Sequence, residues 1–347
     1  MKVAVVGAGI VGASAARHLA EAGHEVTVFE PFEPAHGYGS SHGASRIVRK
    51  AYPDPFYTAV MKEAYPLWAD LERASGKELV TECGLAYFGS EASPLVQSMI
   101  AGLRENNVPF DILGPKEALG PFPAMRLADD EVMVYTAEAG WVAAARAVRA
   151  TIGCAVQSGA TIVNARVNRL DALEQSFDAV AIAAGGWIQR FVSLPAKVTV
   201  QTYAHLGARL SGPVWIEDDF HNDHLYGFPS APGDDWVKIG VHGPGPEVDP
   251  DGERPGPDEA VLARLRQVME RRFGVPDAPV LEAVTCLYTT LPGDDFKFGR
   301  ISEKSVFASA CSGHGFKAGP WTGQMLARLA TGEPFPEWLR ERMWFDA

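Results

Sequence analysis

Cysteine is scarce in this chain, and the four present, Cys83, Cys154, Cys286 and Cys311, stand far apart with no Cys-x-x-Cys pair among them. That spacing argues against a disulfide framework and a zinc knuckle. His, Asp and Glu do not gather at metal-ligand spacing either; His221 and His224 in FHNDHLYGF come nearest, and no metal is expected. No run of about 18 apolar residues is present, so no membrane span is expected. Positive charge is also in deficit. With 31 Lys and Arg against 43 Asp and Glu, the formal net charge is −12, the wrong sign for binding a nucleic-acid backbone. Low-complexity tracts and internal repeats are missing, and 47% hydrophobic with 21% charged residues is the composition of an ordinary folded protein. Glycines break the apolar opening MKVAVVGAGIVG, so no secretory leader is read there and a cytoplasmic location is expected. A length of 347 residues suggests about two domains.

What is present starts at once. Val3 to Val6 reads as a short buried strand, followed by Gly7-Ala8-Gly9-Ile10-Val11-Gly12, an apolar-periodic helix SAARHLAEAG and a second strand EVTVFE ending in Glu30. This is the order a dinucleotide site needs. Glycines let the backbone approach a pyrophosphate, the helix N-terminus supplies N–H groups and positive dipole, and the acid accepts from ribose hydroxyls. Glu30 stands 23 positions beyond Gly7, near the usual spacing of about 20. The motif alone does not separate FAD from NAD.

The loop EPAHGYGSSHGASRIVRKAYP is long for a plain connection, which points to function. Helices are predicted at FYTAVMKEAYPLWADLERASG, SPLVQSMIAGLRENN, PKEALGPFP, GWVAAARAVRATIGCAVQSG and DEAVLARLRQVMERRFG, with a strand at GLAYFG. TIVNARVNRLDA and FDAVAIAAGGW read as strands, and the small residues closing the latter would let backbone approach a nucleotide. From Val198 to Val241, VTVQTYAHLGARL, PVWIEDD, HLYGFPS and DWVKIGVHG form a meander of strands. The fold class expected is therefore α/β, mixed with α+β character: a discontinuous Rossmann-like domain over 1–77, 141–195 and 290–347, with an inserted domain over 78–140 and 196–289 built on a mostly antiparallel sheet.

Several residues carry chemistry, each with a plainer alternative. In WVKIGVH the period of two puts Lys238, Gly240 and His242 on one face, which meets either a ligand or water. Cys286 shares a face with Val284 and Tyr288, and a lone strand cysteine is commonly packing. Arg46 and Arg49 in SRIVR are neighbours if that stretch is helical, and otherwise a solvated basic edge. Gly313, Gly315 and Lys317 in SGHGFK combine donors, flexible backbone and a cation ahead of a helix, suited to an anion. Ser312 and His314 suggest hydrolysis, but no Gly-x-Ser-x-Gly elbow accompanies them.

Taken in order, GAGIVGASAARHLAEAGHEVTVFE, GSSHGASRIVRKAY, YGFPS, WVKIGVH, CLYTTLP with its distal DDF, and SGHGFK resemble the monomeric sarcosine oxidase and N-methyltryptophan oxidase group of FAD-dependent oxidoreductases, itself similar in fold to D-amino-acid oxidase. The resemblance runs from Val3 to about Leu329. It implies FAD tethered through the Cys286 sulfur, with Gly7, Gly9, Gly12 and Glu30 at its pyrophosphate and ribose. Ser41, His42, Gly313, Gly315 and Lys317 would also contact the cofactor, and the Val167 backbone would meet adenine. It further implies that Arg49 and Lys317 hold the substrate carboxylate, that Arg46 lies against the flavin, and that Lys238 activates dioxygen. His242 would sit on the Lys238 face, and Tyr226 and Tyr288 would line the substrate cavity.

The reaction so implied is oxidation of a secondary α-amino acid to an imine, with dioxygen reduced to hydrogen peroxide. Cyclic imino acids such as pipecolate or proline, and iminodiacetate-like substrates, are alternatives, as are a dehydrogenase using another acceptor and a non-enzymatic nucleotide binder. Three departures bear on the substrate. Gln201-Thr202-Tyr203-Ala204-His205 replaces a frequent Arg-Gln pair, Ala44 stands where an acid is common, and the chain is short for the group.

Overall fold

The computed structural model describes residues 1–218, 224–243 and 245–347. Its strands form two large sheets and a small one. The first large sheet runs Trp344–Asp346, Lys297–Arg300, Ser305–Ser309, Ala179–Ile182, Lys2–Val6, Glu25–Phe29, Thr161–Val163. The five strands from Ser305–Ser309 to Thr161–Val163 are mutually parallel. Such strands are covered on both faces, which explains why Val3 to Val6 and Ala179 to Ile182 are continuous apolar runs.

The helix Ile10–Glu21 packs against the helix Gly319–Ala330 at very short range. A Cβ on Gly323 would lie 2.3 Å from Ser14 Cβ, and one on Gly319 would lie 2.5 Å from Ile10 Cγ1. Small residues four apart thus let the two backbones meet, and this fixes where the helix Gly319–Ala330 begins relative to the glycine-rich turn at Gly7.

The second sheet has the order Val280–Thr290, Lys197–Gly207, Trp236–His242, His224–Phe228, Val214–Asp218, Leu85–Ser90, Glu131–Thr136, Asp111–Leu113. Every pairing is antiparallel except that of Val214–Asp218 with Leu85–Ser90. One face is closed by the helix Glu259–Phe273, whose Leu262, Leu265, Val268 and Met269 pack with Val237, Ile239 and Val241. Asp258 caps that helix by accepting from Ala260 N at 2.8 Å, and Gly274 ends it at φ 65°. Lys238, Gly240 and His242 are left facing the other way, toward the first sheet's cleft. Arg272 pins the helix to the sheet through Glu217 and Glu131, each bonded at 2.7 Å.

Four sequence readings change. Arg46–Arg49 is not helical but a strand in the third sheet, between whose strands the order is Arg46–Arg49, Ala139–Val142, Val80–Glu82. The helix read from Gly140 starts only at Ala144, because Ala139–Val142 pairs with both neighbours and a Cβ on Gly140 would fall 2.0 Å from Thr81 O. Of PKEALGPFP only Glu117–Leu119 turns, as a 3-10 helix, and TIVNARVNRLDA leaves its sheet after Val163. Glu131–Thr136, Glu337–Met343 and Trp344–Asp346 were not anticipated.

Candidate active site

Between the two sheets lies a cavity of about 480 Å³. At one end is the turn after Lys2–Val6. Gly7 adopts φ +98°, and a Cβ there would sit 2.5 Å from Ala183 O; a Cβ on Gly12 would sit 2.0 Å from Gly7 O. No other residue fits either place. Gly9 at the N-cap offers no side chain of its own, and the N-terminal dipole of the helix points toward the cavity. Glu30, 6% exposed, accepts from Ala8 N at 2.9 Å and Phe32 N at 3.2 Å, and Ser41 Oγ accepts from Ile10 N at 3.1 Å. This is a cradle of backbone donors closed by an acid, and it fits the pyrophosphate and ribose of a dinucleotide. Val167 lines the same end from the loop beyond Thr161–Val163.

Residues 245–257 cross from the second sheet to this end as a strap. Asp251 accepts from Trp187 Nε1 at 2.9 Å and Arg166 at 2.8 Å and also pairs with Arg190, while Arg254 donates to Gly37 O at 3.0 Å and to Tyr38 O.

Midway along the cavity stands Cys286, 5% exposed and lining it. Burial pushes its thiol up, while the positive charges of Arg46 and Lys238 pull the other way. Arg46 donates to Ser45 O at 2.9 Å and Ser40 O at 3.0 Å, and its guanidinium lies 5.8 Å from the Phe316 ring. Of the two alternatives for the Lys238 face, ligand or water, water is overturned for Lys238. Lys238 is 2% exposed, donates to Ser45 O at 2.7 Å, and is held between the faces of Tyr203 and Phe228 at 4.5 and 4.8 Å. Burial first, then Arg46, hold its ammonium well below the usual lysine range. His42 is buried nearby, with its Nε2 lacking a hydrogen-bond partner among the described residues, and burial drives its imidazole down to about 4.

The far end gathers cations and aromatics. Arg49 and Lys317 both line the cavity, and burial pushes both below their ordinary values, Arg49 adding to the effect on Lys317. Arg46 and Arg49 are three apart on a strand, so they point to opposite faces. Arg46 therefore serves the Phe316 side and Arg49 the Tyr52 side, rather than standing side by side. Tyr226 and Tyr288 both line the cavity, and burial pushes both phenols up. His242 is driven down to about 3, by burial first and then by His224 and Lys317, and its ring centre lies 5.5 Å from that of Tyr288. Gly313 at φ +71° is required between them, since a Cβ would lie 2.3 Å from His242 Cε1 and 2.4 Å from Tyr288 Cε2. Gly315 opens the turn into the helix Gly319–Ala330, against Ala310 O.

Of the residues expected at the site, all but Gly12, His42 and Lys238 line this one cavity. His221, the metal-ligand suggestion, lies outside the described residues. The hydrolase suggestion fails on geometry: Ser312 Oγ accepts from Leu291 N at 3.3 Å, while His314 bonds to Tyr52 and Asp294. Sequence reading missed Tyr52 and Tyr87 in the wall, named Tyr203 only within a departure bearing on the substrate, and offered His224 only as a metal ligand. For Tyr52 a signal existed, three residues past Arg49 in the same loop-borne motif.

Comparison with known proteins bears on the whole chain. Residues 2–329 match the family model described as FAD dependent oxidoreductase. The monomeric sarcosine oxidase of Streptomyces avermitilis is 30% identical, over 94% of this chain and 93% of that protein. The peroxisomal sarcosine oxidase of Mus musculus is also 30% identical, over 95% and 92%. Among solved structures, a Tyr258Phe mutant of NikD, an unusual amino acid oxidase essential for nikkomycin biosynthesis, superposes with a TM-score of 0.82 at 22% identity, covering 99% of this chain and 97% of that one. The last likeness speaks for the fold.

Proposed function

Since this chain belongs to the family of FAD-dependent oxidoreductases, we propose that it oxidises the C–N bond of a secondary α-amino acid, one carrying an N-methyl or similar N-substituent, with dioxygen as acceptor. One observation carries the reading: the glycine cradle and two cations, the buried Lys317 and the half-buried Arg49, open onto a single cavity with neutral aromatic walls between them. FAD, when bound, would supply the redox chemistry: a hydride acceptor for the carbon beside nitrogen, so that an imine forms and water hydrolyses it, and a route for both electrons to dioxygen as hydrogen peroxide.

The chain's own residues prepare this. Gly7, Gly9 and Gly12 would admit the pyrophosphate, Glu30 the ribose and the Val167 backbone the adenine, with Ser41, His42, Gly313 and Gly315 completing the contacts. The Cys286 thiol, which lines the cavity, would tether the cofactor covalently. Arg49 and Lys317 take the substrate carboxylate, which relieves two charges that burial has left short of partners. Tyr226, Tyr288 and His242 stay uncharged at neutral pH, so they shape the cavity and offer hydrogen bonds without competing for that carboxylate. The fixed charges near the substrate are positive, which disfavours an ammonium and favours the free amine, the form able to release hydride. Arg46 would lie against the flavin and Lys238 would supply the charge for the oxygen step. The unit spanning 1–77, 141–195 and 290–347 would hold FAD, and 78–140 with 196–289 would supply the substrate wall. No disulfide joins the four cysteines, in keeping with a reducing compartment, and we assign the protein to the cytoplasm. Among the described residues no helix is long and apolar enough to cross a membrane.

The test is anaerobic titration of the flavoprotein with a panel of N-methyl and other N-substituted amino acids, followed by admission of air. Bleaching by a carboxylate-bearing secondary amine, little bleaching by the same amine without its carboxylate, and peroxide on aeration are expected. A flavin that no N-substituted amino acid bleaches would refute the proposal.

A further inference from the structure

Two cations converge on one aromatic ring. The Arg49 guanidinium lies 4.2 Å from the centre of Tyr52, and Lys317 Nζ lies 5.3 Å from it. The ring is itself held. Tyr52 Oη is 3.1 Å from His314 Nδ1, and His314 Nε2 is 2.9 Å from Asp294 O. A carbonyl only accepts, so Nε2 carries the imidazole proton and Nδ1 accepts from the Tyr52 hydroxyl. The circuit closes through the backbone, because Lys317 Nζ donates to His314 O at 2.9 Å.

From this arrangement we propose that Tyr52 is a positioning residue: its π face carries both carboxylate-binding cations, and its hydroxyl, locked by His314, fixes the plane in which they meet the ligand. The inference rests on the reading of Arg49 and Lys317 given above. Two like charges facing one small anion repel each other when the anion is away; one carbonyl anchors each, Ala51 O for Arg49 and His314 O for Lys317, and the Tyr52 ring is the contact the two cations share. A ring face attracts each cation without neutralising it, as a carboxylate partner would. The anion site therefore stays open while its two donors stay in register. Burial keeps His314 well below the usual histidine range, so the lock does not open with pH near neutrality.

The experiment titrates the flavoprotein with propionate and, separately, with propionamide, reading the flavin absorbance difference, for wild type, Tyr52→Phe and Tyr52→Leu. Tyr52→Leu should weaken propionate at least tenfold, about 1.4 kcal/mol, and leave propionamide unchanged. Tyr52→Phe, which keeps the face and loses the lock, should fall between. In turnover, KM for the amino acid should rise more than kcat falls. Equal weakening of both probes would reduce Tyr52 to packing and overturn the proposal, as would unchanged propionate binding in the leucine variant. Wild type that binds no carboxylate at all would instead remove the clamp reading on which this rests. Should Tyr52→Leu not fold, phenylalanines of increasing fluorination at position 52 keep the shape and drain the π face; propionate affinity should drop stepwise, and a flat series overturns the proposal.

Discussion

Replacing Lys238 by methionine should separate the two halves of the catalytic cycle. Methionine has nearly the volume of the lysine stem, so repacking between Tyr203 and Phe228 costs under about 1.5 kcal/mol. Ser45 O does not become an orphan, because Arg46 still donates to it at 2.9 Å. Loss of a buried ammonium whose charge the site already disfavours offsets part of the remainder, and the variant should fold. The kinetic effect is larger. A unit charge about 5 Å from developing negative charge, at an effective dielectric of about 20, contributes about 3 kcal/mol, or roughly a hundredfold in rate. That factor should appear only when reduced flavin meets oxygen. Stopped-flow absorbance measures each half: anaerobic bleaching by substrate should stay within about threefold of wild type, while reoxidation falls about 10²-fold. In wild type the oxygen step needs the charged form, so its rate should decline as pH rises through the lowered Lys238 pKa, and Lys238→Met should lack that decline. Equal losses in both halves, or unimpaired reoxidation, would refute the assignment.

Cys286→Ala should release the flavin when the protein is precipitated with acid, whereas wild type should carry the colour into the pellet; colour retained by the variant would place the tether elsewhere. Gly313→Ala introduces a methyl into the space of His242 and Tyr288 at a left-handed backbone position, and a loss of about 2 kcal/mol or more in denaturant unfolding is expected, with wild-type stability counting against the geometry. His242 titrates at about 3 in the folded chain and near 6.5 when unfolded. Between those values the unfolded chain binds the extra proton, so stability falls as pH drops from about 7, by up to about 1.4 kcal/mol per unit. His242→Gln should flatten the dependence by one proton between pH 6 and 4, as read from urea midpoints, and an unchanged slope would dismiss the assignment.

The cradle was legible in the sequence because its glycines answer to local sterics: Gly7 and Gly12 are read from spacing, and the structure supplies the atoms they avoid. The meander from Lys197 to His242 was legible by alternation, and the parallel strands by their unbroken apolar runs. Where tertiary pairing decides, legibility ended. Arg46–Arg49 has too few residues to show a period, and its strand exists because Ala139–Val142 lies beside it. The same pairing took three residues from an alanine-rich segment that otherwise reads as helix. A period of two separated the faces of Trp236–His242 but does not say that both are covered, so pattern alone left the Lys238 face open between ligand and water. His314 carried a false suggestion, since its partner Tyr52 lies 262 positions away in the chain.

The interleaving of the parallel sheet has a consequence for biosynthesis. Lys2–Val6 lies between Glu25–Phe29 and Ala179–Ile182, and the latter pairs in turn with Ser305–Ser309. The glycine turn therefore leaves the ribosome early, while the strand that completes its sheet is still untranslated, and Lys317 emerges later still. Pairings of such sequence separation form slowly, and the waiting strand edge is a site for misassociation. Cofactor capture then belongs to the nearly finished chain, and the yield of active protein in a cell depends on how well that early edge is shielded until the carboxyl-terminal fifth arrives.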